Sequence, residues 1–228
     1  MDFEHINWTT VTVIIIIIIL IWFLFFRRPE ISPFDQLNKT PYAQPGYAPD
    51  ISVSNFYHEL PKKQFAGLIS EFANPDIVVN KPYGIAIWKN KGYYDVIMLL
   101  DESVQHNDPE PHCDFLYTIV TVYIPHDLVC MVLDLSETIT YDKLKGQLSV
   151  RCQSMAANVA TLYYALKIVS EPNNFDYNKS QYDELISSTI NKQNYSNLEN
   201  QLGQLIEQNH NIYQNELSNI NLNCLIGQ

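Results

Sequence analysis

The residues best equipped for chemistry gather in one stretch, Glu102-Ser-Val-Gln-His106-Asn-Asp108-Pro-Glu110-Pro-His112-Cys113-Asp114. Two imidazoles, a thiol and several carboxylates fall here between two apolar runs, a position where functional loops are common. His112 beside Cys113 raises the chemistry of a thiolate nucleophile with a histidine base, which requires both side chains within hydrogen-bond reach. Adjacent residues entering a strand point to opposite faces, so geometry disfavours that pairing. His106, Asp108 and His112 supply nitrogen and oxygen donors of the kind that hold a divalent metal. The competing reading is a solvated loop stiffened by Pro109 and Pro111, and it is the expectation adopted: no catalytic, cofactor or metal residue is assigned, and His106, Asp108, His112 and Cys113 stand as candidates for an enzymatic or metal-binding alternative.

A second constellation, Cys113-x12-His126-x3-Cys130, mimics part of a zinc finger. The residues between Cys113 and His126 read as a strand, and thirteen steps of ~3.3 Å put its ends roughly 40 Å apart. Zinc ligands must all lie within ~2.0–2.3 Å of one ion. With a chain reversal at 125–127, Cys130 falls near Thr121 and far from Cys113, so no zinc site is expected from this spacing. Arg151 beside Cys152 offers an anion contact, although a single arginine is more often an ion-pair or surface residue. Seven glycines leave little scope for a phosphate-binding loop, and no G-x-S-x-G elbow is present.

These residues are positioned by a segment, 51–172, that reads as one α+β domain. Phe65, Leu68, Ile69 and Phe72 recur at helical spacing, with Pro61 in the first turn and Asn74-Pro75 as the stop. Four strand-type runs follow at 83–88, 93–100, 115–124 and 128–135. The first pair is joined by Lys89-Asn90-Lys91-Gly92 and the second by Pro125-His126-Asp127, connections too short for a parallel crossover. An antiparallel four-strand meander flanked by helices is therefore expected, with 115–124, apolar on both faces, as a central strand. A second helix spans about 154–169, with Met155, Val159, Leu162, Leu166 and Val169 along one stripe and Pro172 ending it. The order helix, four-strand meander, helix resembles that of ubiquitin-conjugating and RWD-type folds in topology, without a His-Pro-Asn motif before a reactive cysteine.

Ahead of this domain, residues 8–26 include six consecutive isoleucines at 14–19 and carry no charge. Nineteen residues at a helical rise of ~1.5 Å reach roughly 28 Å, the thickness of a hydrocarbon core. Trp8 and Trp22 sit where aromatic rings favour the interface. Asp2, Glu4 and His5 replace the basic leader of a cleavable signal, and Arg27 and Arg28 follow bulky Phe25 and Phe26, so residues 1–28 read as an uncleaved anchor. Arg27, Arg28 and Lys39 lie on the C-terminal side, which places the N-terminus outside and the C-terminal domain in the cytosol. Four widely spaced cysteines agree with a reducing compartment, whereas the acceptor-like triplets at Asn178 and Asn194 would matter on the opposite side. Residues 29–50 contain Pro29, Pro33, Pro41, Pro45 and Pro49 and form a semi-rigid spacer.

Residues 173–228 are a polar helical tail with 20 Asn or Gln among 56 residues. Tyr195, Leu198, Leu202, Leu205 and Ile212 follow 3-4 spacing, with Asn209 interrupting them. This pattern allows either a homo-oligomer through the C-terminal helix or packing back onto the domain.

A net charge of -11 with 14 basic residues argues against nucleic-acid binding. The partners expected are the lipid bilayer and an unidentified protein. Richness in Ile, Asn and Tyr with the anchored layout is similar to membrane-anchored proteins of large DNA viruses of protists, a resemblance that implies a host or virion membrane. The function expected is a single-pass, membrane-anchored structural or adaptor protein. The alternative is a membrane-tethered enzyme or metal-binding protein using the 102–114 loop.

Overall fold

The computed structural model describes residues 56, 58–79, 84–107, 111–172, 178–192 and 195–219. The anchor at 8–26 with its flanks Trp8, Trp22, Arg27 and Arg28, and the proline spacer at 29–50, lie outside these residues. Among the described residues no helix is long and apolar enough to cross a membrane.

Helix α1 (Glu59–Phe72) buries Pro61, Phe65 and Leu68, the stripe its spacing dictates. It stops at Ala73, whose φ of 62° breaks the helical path, and the Trp88 indole donates to the Ala73 carbonyl at 2.9 Å. Strands β1 (Ile77–Val79), β2 (Ile85–Lys91), β3 (Tyr94–His106) and β4 (His112–Thr121) follow. Gly92, at φ 58°, turns β2 into β3, a conformation that favours glycine. The chain then forms a short helix α2 (Val129–Leu133), an edge hairpin of β5 (Ile139–Asp142) and β6 (Gln147–Cys152), and helix α3 (Met155–Ser170). Helices α4 (Lys179–Lys192) and α5 (Ser196–Asn219) complete it.

The fold is α+β, and its sheet is antiparallel with six strands in the order β1-β2-β3-β4-β6-β5. The expected antiparallel meander is present in part: β2, β3 and β4 lie side by side in chain order, but the sheet adds β1, β5 and β6 and lacks the strand expected at 128–135. The run 128–135, expected as a strand, is α2 and its flanks. Its buried residues are Leu128, Val129, Val132 and Leu135, a helical spacing hidden in a run that is apolar at nearly every position. The Val132 amide donates to the Leu128 carbonyl at 3.0 Å, one helical turn back. Cys130 is therefore an exposed helical residue and pairs with no strand. The second partner of β4 is β6, with Leu116 opposite Cys152 and Thr121 opposite Gln147.

Strand β4 lies in the middle of the sheet, and every residue from Asp114 to Val120 is buried. Helix α3 is capped by the Ser154 hydroxyl, which accepts from the Ala157 amide. Ala156, Ala157, Ala160 and Ala165 are buried along α3, whose short side chains let it sit close to its neighbours. Asn158 donates to the Leu116 carbonyl at 3.0 Å and to Thr118 Oγ1 at 2.8 Å, which ties α3 to β4. Helices α4 and α5 pack on α3, where Tyr182, Ile186, Leu202 and Ile206 join the same core as Phe65, Trp88 and Leu99. Each such fully buried side chain contributes about 1.5–3 kcal/mol. Of the two placements open to the C-terminal helix, packing back onto the domain is the one observed.

Candidate metal centre

The stretch 102–114, expected as a solvated loop, is mostly strand. Strand β3 continues to His106 and β4 begins at His112, and these two residues face each other in register. Between Leu99 and Val104 the register shifts, so that four residues of β3 (100–103) lie opposite one of β4 (Phe115). Such a bulge bends the strand and re-aims the side chains beyond it. Period-two alternation sends His112 and Asp114 to one side of β4 and Cys113 to the other. Cys113 accordingly meets Gln105, with Sγ 3.9 Å from Oε1, and takes no part in the cluster. Asp108 lies outside the described residues.

His106, His112 and Asp114 converge. His106 Nδ1 stands 3.3 Å from His112 Nε2 and 3.7 Å from Asp114 Oδ2, and His112 Nε2 stands 3.0 Å from Asp114 Oδ1. Among the described residues, these three form the group whose donor atoms all lie within 4.8 Å of one another. Their side chains are 10%, 11% and 0% exposed. From the end of β6, Arg151 Nε forms an ion pair with Asp114 Oδ2 at 3.6 Å, and Cys152 Sγ lies 3.7 Å from His112 Nε2.

Three features of this arrangement bear on its chemistry. First, both Asp114 oxygens are buried without a hydrogen bond of good geometry. A carboxylate so placed is costly unless positive charge serves it, and the Arg151 guanidinium at 3.6 Å supplies part of that. Burial pushes the Asp114 carboxyl up, against the opposing pull of His112, His106 and Arg151. Second, His112 Nε2 alone faces Nδ1 of His106, Oδ1 of Asp114 and Sγ of Cys152. One ring nitrogen donates a single hydrogen or offers a single lone pair, so it cannot satisfy three neighbours. A nucleophile–base–acid relay needs the thiol and the carboxylate on different ring nitrogens, and here they share one. Third, burial and the Asp114 charge push the Cys152 thiol up to about 12, which disfavours a free thiolate nucleophile.

Metal coordination does fit. Ligand bonds of ~2.0–2.1 Å in a tetrahedron separate nitrogen and oxygen donors by roughly 3.3 Å. The two imidazole nitrogens stand at that value, 3.3 Å apart; His112 reaches Oδ1 of Asp114 at 3.0 Å and His106 reaches Oδ2 at 3.7 Å, and one donor atom from each residue lies within 4.8 Å of the others. Sequence reasoning singled out His106 and His112 but missed Asp114, Arg151 and Cys152 as their neighbours. The His112-x-Asp114 spacing was a usable signal, since it is the strand spacing for one face. The approach of β6 was not, because the sequence pattern left β6 unassigned. The other constellation does not assemble: His126 and Cys130 are both exposed, in the turn before α2 and on α2.

Fold and site together define an α+β protein with a six-strand antiparallel sheet and a buried histidine–carboxylate cluster at the tip of its central hairpin. The chain matches no protein-family model, no curated protein and no solved structure.

Proposed function

We propose that this chain is a membrane-tethered structural or adaptor protein whose acidic α+β domain is stapled by a transition-metal ion at His106, His112 and Asp114. The observation that carries the metal reading is the convergence of three donor atoms, one from each residue and all within 4.8 Å of one another, at a buried carboxylate whose oxygens make no hydrogen bond of good geometry. A catalytic ion keeps an open position for water or substrate. The low exposure of all three side chains favours a structural ion over a membrane-tethered enzyme. An ion here would lock the tip of the β3–β4 hairpin.

The test is the metal content of the full chain purified in detergent without chelator. About one equivalent of zinc per chain is expected, and none in His112→Ala. Metal-free protein that also fails to take up added zinc overturns the staple.

The tether rests on residues 8–26 and the orientation on Arg27 and Arg28. A glycosidase-sensitive shift at Asn178 or Asn194 in expressing cells would put the domain on the lumenal side and overturn the cytosolic placement. The partner is proposed to be another protein in addition to the bilayer. Self-association through α5 has less support, because Leu202 and Ile206 are already buried in the chain's own core. Proximity labelling from the C-terminus, expected to mark membrane-associated proteins, tests this part.

A further inference from the structure

The cluster has a fourth candidate donor that lies outside the histidine–carboxylate group. Cys152 is the last residue of β6, opposite Leu116 and thus beside the start of β4. It is a buried free cysteine, and its sulfur stands 3.7 Å from His112 Nε2. A tetrahedral ion with one thiolate at ~2.3 Å and one imidazole at ~2.0–2.1 Å separates the two donors by roughly 3.5 Å. The observed distance is within a few tenths of an ångström of that value. Just beyond Cys152 the chain turns from β6 into α3, which is capped by the Ser154 hydroxyl.

We propose that Cys152 is the fourth ligand of a closed zinc site formed with His106, His112 and Asp114, and that the ion joins the β3–β4 hairpin to β6 and the start of α3. This rests on the metal reading above and specifies its ligand set and its metal. On binding, the Cys152 S–H bond breaks, the sulfur gives its electron pair to the ion, and the proton leaves to solvent. No oxidation or reduction takes place. Two imidazoles with a thiolate and a carboxylate suit zinc and exclude magnesium or calcium, which take oxygen ligands. With four protein ligands in place, no position remains for a substrate.

Cobalt substitution of the full chain in detergent separates the possibilities. The wild-type protein is expected to bind one Co2+ with the visible bands of a four-coordinate ion and a near-ultraviolet thiolate-to-cobalt charge-transfer band. Cys152→Ser is expected to lose that band and to weaken zinc binding by more than about 10-fold, since loss of even an outer contact costs that much. Cys113→Ser should leave both unchanged. Wild-type protein that binds cobalt without the charge-transfer band overturns Cys152 as a ligand and leaves the three-residue site standing. Loss of the band in Cys113→Ser instead assigns the thiolate to Cys113 and also overturns the proposal. Failure to bind either metal overturns the metal reading itself. Zinc X-ray absorption on the wild-type chain needs no variant: a sulfur shell at ~2.3 Å is required, and nitrogen and oxygen neighbours alone overturn the thiolate.

Discussion

The two ends of β4 handle buried polarity in opposite ways. Beyond its C-terminal end, the backbone of Tyr123 is met by one side chain: the Tyr123 amide donates to Asn209 Oδ1 at 2.8 Å, and Asn209 Nδ2 donates to the Tyr123 carbonyl at 2.8 Å. The other polar clips on α5 are similarly complete. Tyr94 donates to Glu199 at 2.6 Å, and Tyr195 donates to both oxygens of Glu71 at 2.6 and 2.7 Å. Both phenols are pushed up by burial and by these carboxylates, so they remain donors at neutral pH. At its N-terminal end, His112 and Asp114 meet three further polar groups, those of His106, Arg151 and Cys152, yet the Asp114 oxygens gain no hydrogen bond of good geometry. A satisfied network positions an element. A buried carboxylate without well-formed hydrogen bonds calls for an explanation, and the proposed ion is one.

This contrast can be broken at either end, and the metal end should give the largest effect. Removing zinc from the full chain with a chelator is expected to lower unfolding stability by about 3–4 kcal/mol, the linkage expected when free metal stood at 100–1,000 times its Kd. Denaturant melts with and without chelator check it, and in His112→Ala the chelator should do nothing. Lowering the pH should release the ion, because protons compete for the same nitrogen and sulfur lone pairs. The metal-linked part of the stability is thus present at neutral pH and lost as the pH falls. Equal melts with and without metal would erase the distinction between the two ends.

Asn209→Ala should cost about 1–3 kcal/mol by leaving the Tyr123 amide and carbonyl without partners. Metal content should be unchanged, since α5 reaches β4 at its other end. Loss of zinc in this variant would show that the two regions are coupled. The smallest effect is expected at Gly203. A Cβ there would fall 2.1 Å from the Tyr93 ring, but that ring is 38% exposed and can swing outward. Strain and the helix-propensity gain of about 1 kcal/mol oppose each other, so Gly203→Ala should stay within about 1 kcal/mol of the parent. Gly203→Ala on a Tyr93→Ala background should show the propensity gain alone.

Much of the frame was legible in the chain itself. Phe65, Leu68 and Phe72 spelled α1, Ser154 and Pro172 bracketed α3, and a run through Leu116 and Ile119 that is apolar on both faces marked the central strand. These are local patterns, set by side-chain period and by residues that start or stop a helix. The run at 128–135 was illegible because an all-apolar stretch has no period, and only burial at Leu128, Val132 and Leu135 reveals the helix. Strands β5 and β6 are short and mixed in polarity, so they were missed. Asn209 looked like a break in an apolar stripe, yet it fastens α5 to the backbone just beyond β4, as Glu199 fastens it to Tyr94 of β3.

The same division runs through the site. Residue types alone singled out His106 and His112, because two imidazoles in one stretch are a donor pair at any geometry. Only the tertiary structure selected their company. Register across the bulged β3–β4 hairpin sets the two histidines opposite one another, alternation along β4 brings in Asp114 and turns Cys113 away, and the pairing of β6 with β4 delivers Arg151 and Cys152 from some forty residues downstream. A ligand set gathered from three strands depends on which strands are neighbours, and that is decided by packing over the whole sheet.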